Sequence, residues 1–411
     1  MSQASASPGI AITGMGAISP FGEGADLLWQ ALREGHSGIR PLRHERARDL
    51  RVRVAAQVPE SFEPARHFSE RTLPLLDRTS QFALFAANEA IRQSGLDFAA
   101  GDLSLRTGVV VGTGVGGETT HDEQSRQVYG ENVGRVHPFT IVRLMANAPA
   151  SQISIAHGLR GPTFAVVSAC ASSNHAIAQA AMMIRSGLVD VVVTGGSEAC
   201  LTYGSLKAWE AMRVLADDTC RPFSKSRRGL VLGEGAAMFI LESMTHARAR
   251  GAPILGELAG VGMSADAGDI AAPDPAGSAR AMVQALTDGG LAPDDIDYIN
   301  AHGTGTQAND SAETNAIHRV FGAHASALVV SSTKSMHGHA LGASGALELV
   351  AVLGAMRDSV VPPTANYDAV DPTCDLDYAP NAPRPMRVRA ALSNSFAFGG
   401  LNAVLAIRAP R

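Results

Sequence analysis

The chain has few charged residues, few aromatic residues and no long apolar run. Of its 411 residues, 18% are charged and 5% are aromatic, and the net charge is −5. This composition does not favour binding to nucleic acid or to an anionic membrane. No apolar run approaches the ~18 residues of a membrane-spanning helix, and the polar opening stretch, residues 1–8, lacks the layout of a signal peptide. We therefore expect a cytoplasmic protein that binds neither nucleic acid nor membrane.

Cysteine is scarce and lysine is scarcer. The four cysteines include no CxxC pair, so they fit neither a disulfide scaffold nor a cysteine-rich zinc site: Cys170, Cys200, Cys220 and Cys374. Only three of the 34 basic residues are lysines: Lys207, Lys225 and Lys334. In a chain that otherwise uses arginine, each lysine is a stronger candidate for a specific role.

Hydrophobic residues make up 45% of the chain, and they are arranged in alternating strand and helix patterns. Short β-branched segments predict strands at Ile10–Ile12, Gly108–Val111, Phe164–Val167, Val189–Val193, Ile296–Ile299, Leu328–Val330 and Ala403–Ile407. Helical patterns lie between them at Ala25–Arg33, Gln81–Gln93, His175–Arg185, Ala279–Leu286 and Leu341–Met356. Several strands are apolar on both faces, so we predict an α/β fold whose sheets are covered by helices.

The two halves of the chain are distantly alike. The pattern of segment 108–114 recurs in 297–305, and the pattern of segment 164–170 recurs in 328–334. Each of these segments is a predicted strand followed by a loop, and the loops carry residues of reactive types. We interpret this as a duplicated α/β unit with corresponding loops meeting at a pseudo-twofold axis.

We place the division between the halves at the polar stretch Thr245–Gly251, giving halves of residues 1–250 and 251–411 in one compact unit. The duplication predicts that three distant residues come together: Cys170, His302 and His339.

Cys170 lies between a predicted strand and a predicted helix that starts with capping-type residues, Ser172 to Asn174. Free N–H groups at a helix start favour a thiolate and lower the pKa of a thiol. Cys170 is therefore a candidate nucleophile. The alternative is a small buried hydrophobic residue, which is the role of most free cysteines.

His302 and His339 lie in Gly-flanked loops just after predicted strands, where catalytic groups collect. Either could instead be a hydrogen-bonded structural histidine. Together with His337 they could hold zinc, but a helical HExxH spacing is absent and no metal site is predicted.

Lys334 lies in the loop before a nearly uncharged helix. If it is buried it needs an anionic partner, and Asp310 or Glu313, on one face of the next helix after His302, could supply one. The alternative is a solvated loop lysine.

Two glycine-rich segments allow two interpretations each. Gly112–Gly117 matches GxGxxG after a strand, which is the pattern of a dinucleotide-binding loop. The acidic residues that follow would repel a pyrophosphate and do not predict a helix packed on the strand, so a tight turn or a close backbone contact is the favoured alternative. Near the C-terminus, Phe396 and Phe398 stand beside a Gly pair. They could form a movable wall or a hydrophobic plug.

These segments together resemble the β-ketoacyl-acyl carrier protein synthases, specifically the elongating type II Cys-His-His enzymes of the thiolase superfamily. The resemblance runs almost end to end through ordered motifs beginning at Ile12, Gly158, Ser168, Arg221, Gly233, Asn300, Ser331 and Asn394. It implies a thiolase-like fold with duplicated halves in a layered αβαβα architecture. It also implies decarboxylative condensation of an acyl thioester with malonyl-acyl carrier protein.

By this resemblance, Cys170 takes the acyl chain, while His302 and His339 assist decarboxylation of the malonyl group and hold the enolate oxygen. Backbone N–H groups of Cys170 and Phe398 form the oxyanion hole, with Phe398 as a gating aromatic. Lys334, paired with Glu313, organises the histidines. A soft nucleophile suits a thioester, and neutral N–H donors suit an enolate.

The resemblance also implies a supporting set, a substrate-binding set and a partner. The supporting residues are Glu313, Asp310 and Phe396. The substrate-binding residues are Val115, Thr304, Thr306 and Gly399, with Val115 limiting the acyl tunnel. The carrier-docking candidates are Arg71, Arg135 and Arg213. No cofactor is expected beyond the phosphopantetheine arm of the acyl carrier protein, and the chain is expected to form a homodimer.

Several positions depart from the family pattern: Ala171, Gly305, His337, Ala397 and Leu401. The residues around Cys170 and His302 are more similar to synthases of specialised pathways, such as those that make polyunsaturated acyl chains for nodulation signals or pigments. The alternatives are an active subunit paired with a chain-length factor and a non-catalytic carrier-binding subunit. A thiolase would need a second catalytic cysteine, which Cys374 does not match in position, and an NAD-dependent oxidoreductase is the least favoured.

Overall fold

The computed structural model describes residues 9–410, so the polar stretch 1–8 lies outside the described residues. Ten principal strands belong to one hydrogen-bonded sheet: β1 (Ile10–Ser19), β2 (Thr107–Gly112), β3 (Thr163–Val166), β4 (Val191–Glu198), β5 (Gly235–Ser243), β6 (Gly256–Ala265), β7 (Tyr298–Asn300), β8 (Val329–Ser331), β9 (Ala390–Ala397) and β10 (Leu401–Arg408). Two-residue strands lie at Gly22–Glu23, Arg40–Pro41, Val54–Ala55, Val360–Val361 and Arg384–Pro385.

Twelve α-helices lie in the described part of the chain: α1 (Ala25–Arg33), α2 (Arg78–Ser94), α3 (Glu118–Ser125), α4 (Thr140–Leu144), α5 (Ala148–His157), α6 (Ser172–Arg185), α7 (Tyr203–Met212), α8 (Met244–Ala249), α9 (Pro275–Gly289), α10 (Gln307–Phe321), α11 (Lys334–His337) and α12 (Ser344–Asp358). Short 3-10 turns precede α6 and α12, at Ala169–Ala171 and Leu341–Ala343. None of these helices is both long enough and apolar enough to span a lipid bilayer.

The strand order shows the duplication directly. Across the sheet the order is β8-β7-β9-β10-β6-β1-β5-β4-β2-β3. In the first half, β2 pairs parallel with β3 and with β4, and β5 pairs antiparallel with β4 and with β1. In the second half, β7 pairs parallel with β8 and with β9, and β10 pairs antiparallel with β9 and with β6. The two halves therefore repeat one topology, which confirms the predicted duplicated α/β fold.

The halves join through strands β1 and β6 and through a shared helical layer. Three residue pairs, from Ile10 with Leu258 to Ile12 with Gly256, link the two strands. The helices α6 and α12 lie between the halves, and their small side chains pack against strands of both. Outside them, α2 and α5 cover the first half and α9 covers the second, with α10 beside α9. This gives the αβαβα layering that the resemblance implies.

The chain passes from the first half to the second through α8. The stretch Thr245–Gly251, which we predicted as the seam, is therefore partly helical and lies between β5 and β6. The assignment of residues 1–250 and 251–411 as units of the fold remains a prediction.

Candidate active site

A tight turn presents Cys170 between β3 and α6. Ala169 has φ of 50°, in the left-handed region that costs energy for a residue with a Cβ. The Ser172 hydroxyl accepts from the Ser168 N–H (2.9 Å) and donates to the Ala169 carbonyl (2.6 Å). These two hydrogen bonds hold the strained turn, and Cys170 is only 5% exposed.

The structure brings Cys170, His302 and His339 into one site. His339 Nε2 lies 3.1 Å from Cys170 Sγ. The two imidazole rings lie edge to face with centroids 5.4 Å apart. One side-chain atom from each of the three residues lies within 4.8 Å of the others. A sulfur and two imidazoles therefore surround a space small enough for one reacting group.

The expected lowering of the Cys170 pKa is wrong. Burial raises the pKa of the thiol most, the nearby Glu198 carboxylate adds to that rise, and the net pKa is about 12. The Lys334 ammonium and the backbone N–H groups of Cys170 and Phe398 lower it, but by less than burial raises it. The thiol is therefore neutral at rest and needs a base, and His339 Nε2 is in position to act as one.

Lys334 is fully buried, and its partner is not the one predicted. Its ammonium donates to the His302 carbonyl (2.6 Å) and contacts His302 Nδ1 at 3.4 Å. It forms its ion pair with Glu348 of α12, not with Glu313 or Asp310. Because the ammonium can only donate, His302 Nδ1 accepts and the ring proton is on Nε2.

Sequence reasoning missed Glu348. The signal was present, since Glu348 is the one carboxylate inside the otherwise uncharged predicted helix Leu341–Met356. A carboxylate there needs a buried cation. Burial raises the pKa of Glu348 to about 7, and the Lys334 ammonium opposes that rise.

Glu313 and Asp310 both anchor the loop that carries His302. Glu313 accepts the backbone N–H groups of His302 (2.9 Å) and Gly303 (2.8 Å). Asp310 accepts the N–H groups of Phe223 (2.7 Å) and Gly305 (3.2 Å). Both predicted supporting residues thus hold the loop through backbone hydrogen bonds, and neither is the partner of Lys334.

A serine that the sequence analysis missed orients His339. Ser344 Oγ lies 2.7 Å from Nδ1 of the His339 ring. The backbone N–H of His339 donates to the Val231 carbonyl at 2.7 Å, which holds the main chain of this residue. Burial lowers the pKa of His339 and of His302 well below the ordinary histidine value, and the Lys334 ammonium lowers both further. Both imidazoles are therefore neutral.

His337 does not lie with His302 and His339 at the Cys170 site. Its Nε2 contacts the Thr333 hydroxyl at 3.0 Å, and it is fully buried. Within residues 9–410, the atoms placed closely enough to hold a metal ion belong to Cys170, His302 and His339. The Lys334 ammonium beside His302 makes this place electrostatically unfavourable for a divalent cation.

A half-open cavity leads from the surface to Cys170. Phe396 and Phe398 line it, and so do Thr304 and Thr306, whose hydroxyls lie 2.9 Å apart. The rest of the lining includes a stretch before α9: Asp266, Asp269, Ile270, Ala271, Ala272 and Pro273. The cavity therefore contains aromatic side chains near the sulfur and hydroxyl groups along its wall.

Gly399 acts at the cavity through its backbone. Its N–H donates to the Ile270 carbonyl (2.8 Å), and its φ of 83° is one that glycine adopts readily. The segment that carries Phe398 is thus hydrogen-bonded to the segment of Ile270, which also lines the cavity.

Val115 is not among the residues that line this cavity, and it is 43% exposed. Its role in limiting an acyl tunnel remains a prediction. The loop around it is held by Glu198, a buried carboxylate that sequence reasoning missed. Glu198 accepts the N–H groups of Gly114 (2.6 Å), Val115 (3.3 Å) and Gly342 (2.9 Å).

The glycine-rich loop therefore has its N–H groups occupied by a protein carboxylate rather than free for a pyrophosphate. The residues after the loop form a helix, α3, and the prediction that no helix packs on the strand here is confirmed. This helix packs against α2 and α4 rather than on a strand.

The three docking candidates, Arg71, Arg135 and Arg213, are all exposed. Arg213 follows α7 and lines a surface depression with Arg51. Nothing in the geometry ties Arg71 or Arg135 to the cavity, and their role remains a prediction.

Comparison with protein families and known structures gives a consistent result. Residues 7–247 match the family model "Beta-ketoacyl synthase, N-terminal domain", and residues 255–368 match "Beta-ketoacyl synthase, C-terminal domain". The chain is 51% identical over 399 residues to Nodulation protein E of Rhizobium meliloti (strain 1021), covering 97% of this chain and 98% of that protein. It is 39% identical over 406 residues to 3-oxoacyl-[acyl-carrier-protein] synthase 2 of Coxiella burnetii, covering 97% and 98%.

Two solved structures are similar over almost the whole chain. One is the ishigamide ketosynthase/chain length factor, with a TM-score of 0.93, 35% identity and coverage of 99% of this chain and 100% of that chain. The other is a type II PKS acyl-carrier protein in complex with its ketosynthase bound to the hexaketide, with a TM-score of 0.89, 31% identity and coverage of 98% and 100%.

Proposed function

The chain belongs to the β-ketoacyl synthase family of condensing acyltransferases, and on that premise we propose the role of each residue in its site. The reaction is the decarboxylative condensation of an acyl thioester with a malonyl thioester, which gives a β-ketoacyl product. We propose that both substrates arrive on the phosphopantetheine arm of an acyl carrier protein. Cys170 is the acyl acceptor.

Loading begins with attack of the Cys170 sulfur on the thioester carbonyl of the acyl-carrier. The thiol pKa of about 12 means that its proton must leave as the S–C bond forms. His339 Nε2, 3.1 Å away, takes this proton and returns it to the departing phosphopantetheine sulfur. The step ends with an acyl-Cys170 thioester and a free carrier thiol. The proton that left Cys170 is now on the carrier sulfur, and His339 is neutral again.

The tetrahedral intermediate of this step carries a negative oxygen. The backbone N–H groups of Cys170 and Phe398 both interact with the sulfur and lower its pKa. Donors already aimed at the nucleophile can stabilise the oxyanion that forms beside it without reorganising. We assign the oxyanion hole to these two N–H groups.

Condensation then uses the neutral imidazoles as donors. The malonyl group loses its carboxylate as CO2, and the remaining electron pair forms an enolate whose oxygen needs hydrogen-bond donors. His302 Nε2–H is one donor, because Lys334 contacts its Nδ1. His339 is the other once its ring proton has moved, by exchange with water, from Nδ1 to Nε2; the Ser344 hydroxyl then donates to Nδ1. The enolate carbon attacks the acyl-Cys170 carbonyl, and the C–S bond breaks as the new carbonyl forms. The released thiolate takes one proton from water that enters as the product leaves, which restores the neutral thiol.

The observation that carries this proposal is the 3.1 Å approach of His339 Nε2 to the Cys170 sulfur in a buried site. Intact-mass measurement after incubation with acyl-carriers of varied length and unsaturation tests it. We expect one acyl adduct on the wild type, none on Cys170→Ala, and one on Cys200→Ala. Cys200 is the matched control because it is buried in the same apolar cluster. Loading of Cys170→Ala would overturn the assignment.

We also propose that the acyl chain belongs to a specialised pathway. The chain is more similar to Nodulation protein E, at 51% identity, than to the 3-oxoacyl-[acyl-carrier-protein] synthase 2 reported above, at 39%. Within the same panel, we expect an unsaturated acyl-carrier to load faster than the saturated chain of equal length. Equal rates would contradict this proposal and leave the reaction class intact.

For the assembly we propose a homodimer formed at the edge of the first half. Among residues 9–410, strand β3 pairs on one side only, with β2, and Phe164 and Val167 near this edge are 37% and 57% exposed. An edge strand with apolar side chains is covered in most proteins. The solution mass should be twice that of the chain, and Phe164→Glu should lower it. A monomeric wild type would exclude the homodimer.

A heterodimer is the alternative assembly, because one similar structure is a ketosynthase/chain length factor. In that case the chain would be the active subunit, since a nucleophile, two imidazoles and an ammonium are all present in its site.

A further inference from the structure

Arg227 is a buried arginine that takes no part in the steps described above. Its side chain is 1% exposed, and it forms ion pairs with Asp371 and with Asp310, whose Oδ2 lies 3.6 Å from Arg227 Nε. Removing a guanidinium from water carries a large penalty, and attraction to carboxylates often does no more than offset it. Stability is therefore a weak reason for an arginine at this place, and its contacts point to another role.

The guanidinium of Arg227 binds the backbone at the start of α10. Its Nε donates to the Thr306 carbonyl (3.2 Å), and its Nη2 donates to the Gln307 carbonyl (3.3 Å). In return, the side-chain amide of Gln307 donates to the Arg227 carbonyl at 2.9 Å. The N-terminus of a helix carries partial positive charge, so a cation at this end is unfavourable in itself. What these hydrogen bonds achieve is to fix the position of the backbone at Thr306 and Gln307.

The backbone that Arg227 holds carries the hydroxyl groups of the cavity wall. Thr304 and Thr306 line the cavity, and their hydroxyls lie 2.9 Å apart. Between them, the Gly305 carbonyl accepts the Gly229 N–H at 3.0 Å. A Cβ at Gly305 would lie 2.9 Å from the Gly229 carbonyl oxygen, so the two loops are in direct contact. Arg227 itself is not among the residues that line the cavity, and it therefore supports this wall from behind.

Two carboxylates fix the orientation of the guanidinium. Asp310, in the first turn of α10, contacts Arg227 Nε through one oxygen and accepts the Gly305 N–H at 3.2 Å through the other. Asp371 pairs with Arg227 Nη1, and it is itself held by the backbone N–H (2.9 Å) and the hydroxyl (2.8 Å) of Thr373. A guanidinium is planar and its N–H donors point in fixed directions. Carboxylates that orient it therefore also fix the carbonyls that it binds.

We propose that Arg227 is a positioning residue for binding of the phosphopantetheine arm. This inference rests on the proposed function, because it takes its ligand from that reaction. The arm contains amide groups, and the hydroxyls of Thr304 and Thr306 can donate to or accept from an amide. Hydrogen bonds weaken when donor and acceptor are displaced by a few tenths of an ångström. Arg227 keeps the two hydroxyls at a fixed distance from the Cys170 sulfur and does not touch the substrate.

The test compares loading from two thioesters of the same acyl group, one with pantetheine and one with ethanethiol. Ethanethiol has no amide group, so the threonine hydroxyls have nothing to bind in its thioester. The variant is Arg227→Lys, which keeps the positive charge and loses the planar set of donors. The matched control is Arg185→Lys. Arg185 is 12% exposed, pairs with Asp288 and donates to the Ala259 carbonyl at 3.0 Å, and it does not line the cavity.

For Arg227→Lys we expect a KM for acyl-pantetheine about tenfold higher than that of the wild type, with the loading rate at saturation within twofold. Its KM for the ethanethiol thioester should equal that of the wild type, and the control should match the wild type with both substrates. An unchanged KM for acyl-pantetheine would overturn the inference. Equal increases with both thioesters would also overturn it, because they would show a general loosening of the site.

A double-mutant cycle tests whether Arg227 acts through the threonines. In Thr304→Val/Thr306→Val both hydroxyls are absent, and the KM for acyl-pantetheine should rise. Adding Arg227→Lys to this variant should raise the KM no further, because there are no hydroxyls left to position. A further tenfold rise would mean that Arg227 acts elsewhere, and the inference would be wrong.

Asp371→Asn is the second variant, and it decides the matter if Arg227→Lys does not fold. It removes one charged partner of the guanidinium and leaves Asp310 in place, so we expect the same selective rise in KM, about threefold. No rise in this variant would overturn the inference.

The behaviour of the wild type separates this inference from the proposed function. A wild type that loads from neither thioester overturns both. A wild type that loads from the two thioesters with equal KM overturns the inference alone, because the amide groups then gain nothing from the wall.

Discussion

His339 Nε2 lies 3.1 Å from the Cys170 sulfur, although 169 residues separate the two along the chain. The contact spans the two halves of the duplicated fold, because Cys170 follows β3 of the first half and His339 follows β8 of the second. Neither half alone contains both the proposed nucleophile and its proposed base. The shared central layer of α6 and α12 fixes the distance between them.

The burial of this pair predicts the pH dependence of the decarboxylation step. The pKa of His302 and of His339 is well below the ordinary histidine value, because burial and the Lys334 ammonium disfavour their charged forms. Both rings therefore remain neutral as the pH falls through the ordinary range. We expect the rate of malonyl-carrier decarboxylation to remain constant as the pH is lowered from about 8 to about 5.5. A loss of rate centred near pH 6.5 would contradict this prediction.

The contact of Ser344 with His339 Nδ1 predicts a positioning role for this serine. In Ser344→Ala the imidazole loses its 2.7 Å partner, and the loss of about 1 kcal/mol corresponds to a five- to tenfold lower kcat for condensation. The KM values should not change, because Ser344 does not line the cavity. Steady-state kinetics of condensation measure both constants.

The control for Ser344 is Ser335→Ala. Ser335 is also fully buried and donates its hydroxyl to a backbone carbonyl, that of Ser332 at 2.8 Å, but it has no histidine partner. Its kcat should remain within twofold of the wild type. If both variants lose the same activity, the Ser344 effect comes from lost packing and the positioning role is wrong.

Most of the helices and strands of the fold could be predicted from the hydrophobic pattern of the sequence. The helix predicted at Ala25–Arg33 has the same bounds in the structure, because its apolar spacing and polar flanks agree. Strand β6 was not predicted, since three of its ten residues are glycines and the segment resembles a loop. Gly260 and Gly262 are required by packing, because a Cβ at either would meet the backbone of α9.

The site was predictable in its reactive residues and not in their environment. Cys170, His302 and His339 stand in loops after strands, and a duplicated fold brings such loops together. The direction of the Cys170 pKa shift was not predictable, because it depends on how completely the tertiary structure removes water. The partner of Lys334 depends on which helix lies in the central layer, and α12 brings Glu348 there instead of Glu313.

The pair of Lys334 and Glu348 predicts a large stability loss when one partner is removed. Glu348→Ala leaves a fully buried ammonium without its carboxylate, and we expect the free energy of unfolding to fall by about 3–5 kcal/mol. Replacing both, in Lys334→Met/Glu348→Leu, should recover most of this loss. Urea unfolding measures the three proteins, with Glu60→Ala as the control because its side chain is 84% exposed. A Glu348→Ala loss no larger than that of Glu60→Ala would contradict the prediction.

Glu198 predicts how stability depends on pH. In the unfolded chain its pKa is the ordinary 4.5, and burial raises it to about 7 in the folded protein. Between these two pH values the folded protein holds a proton that the unfolded chain has lost. The free energy of unfolding contributed by this group is therefore largest below pH 4.5 and is lost as the pH rises to about 7.

Glu198→Gln removes this titration and keeps the size of the side chain. The other buried groups titrate in both proteins, so the difference in unfolding free energy, wild type minus variant, isolates Glu198. We expect that difference to decrease by an amount on the order of 3 kcal/mol as the pH rises from about 4.5 to 7. Urea unfolding at a series of pH values gives the difference. A difference independent of pH would mean that Glu198 stays ionised in the fold, held by the N–H groups of Gly114 and Gly342.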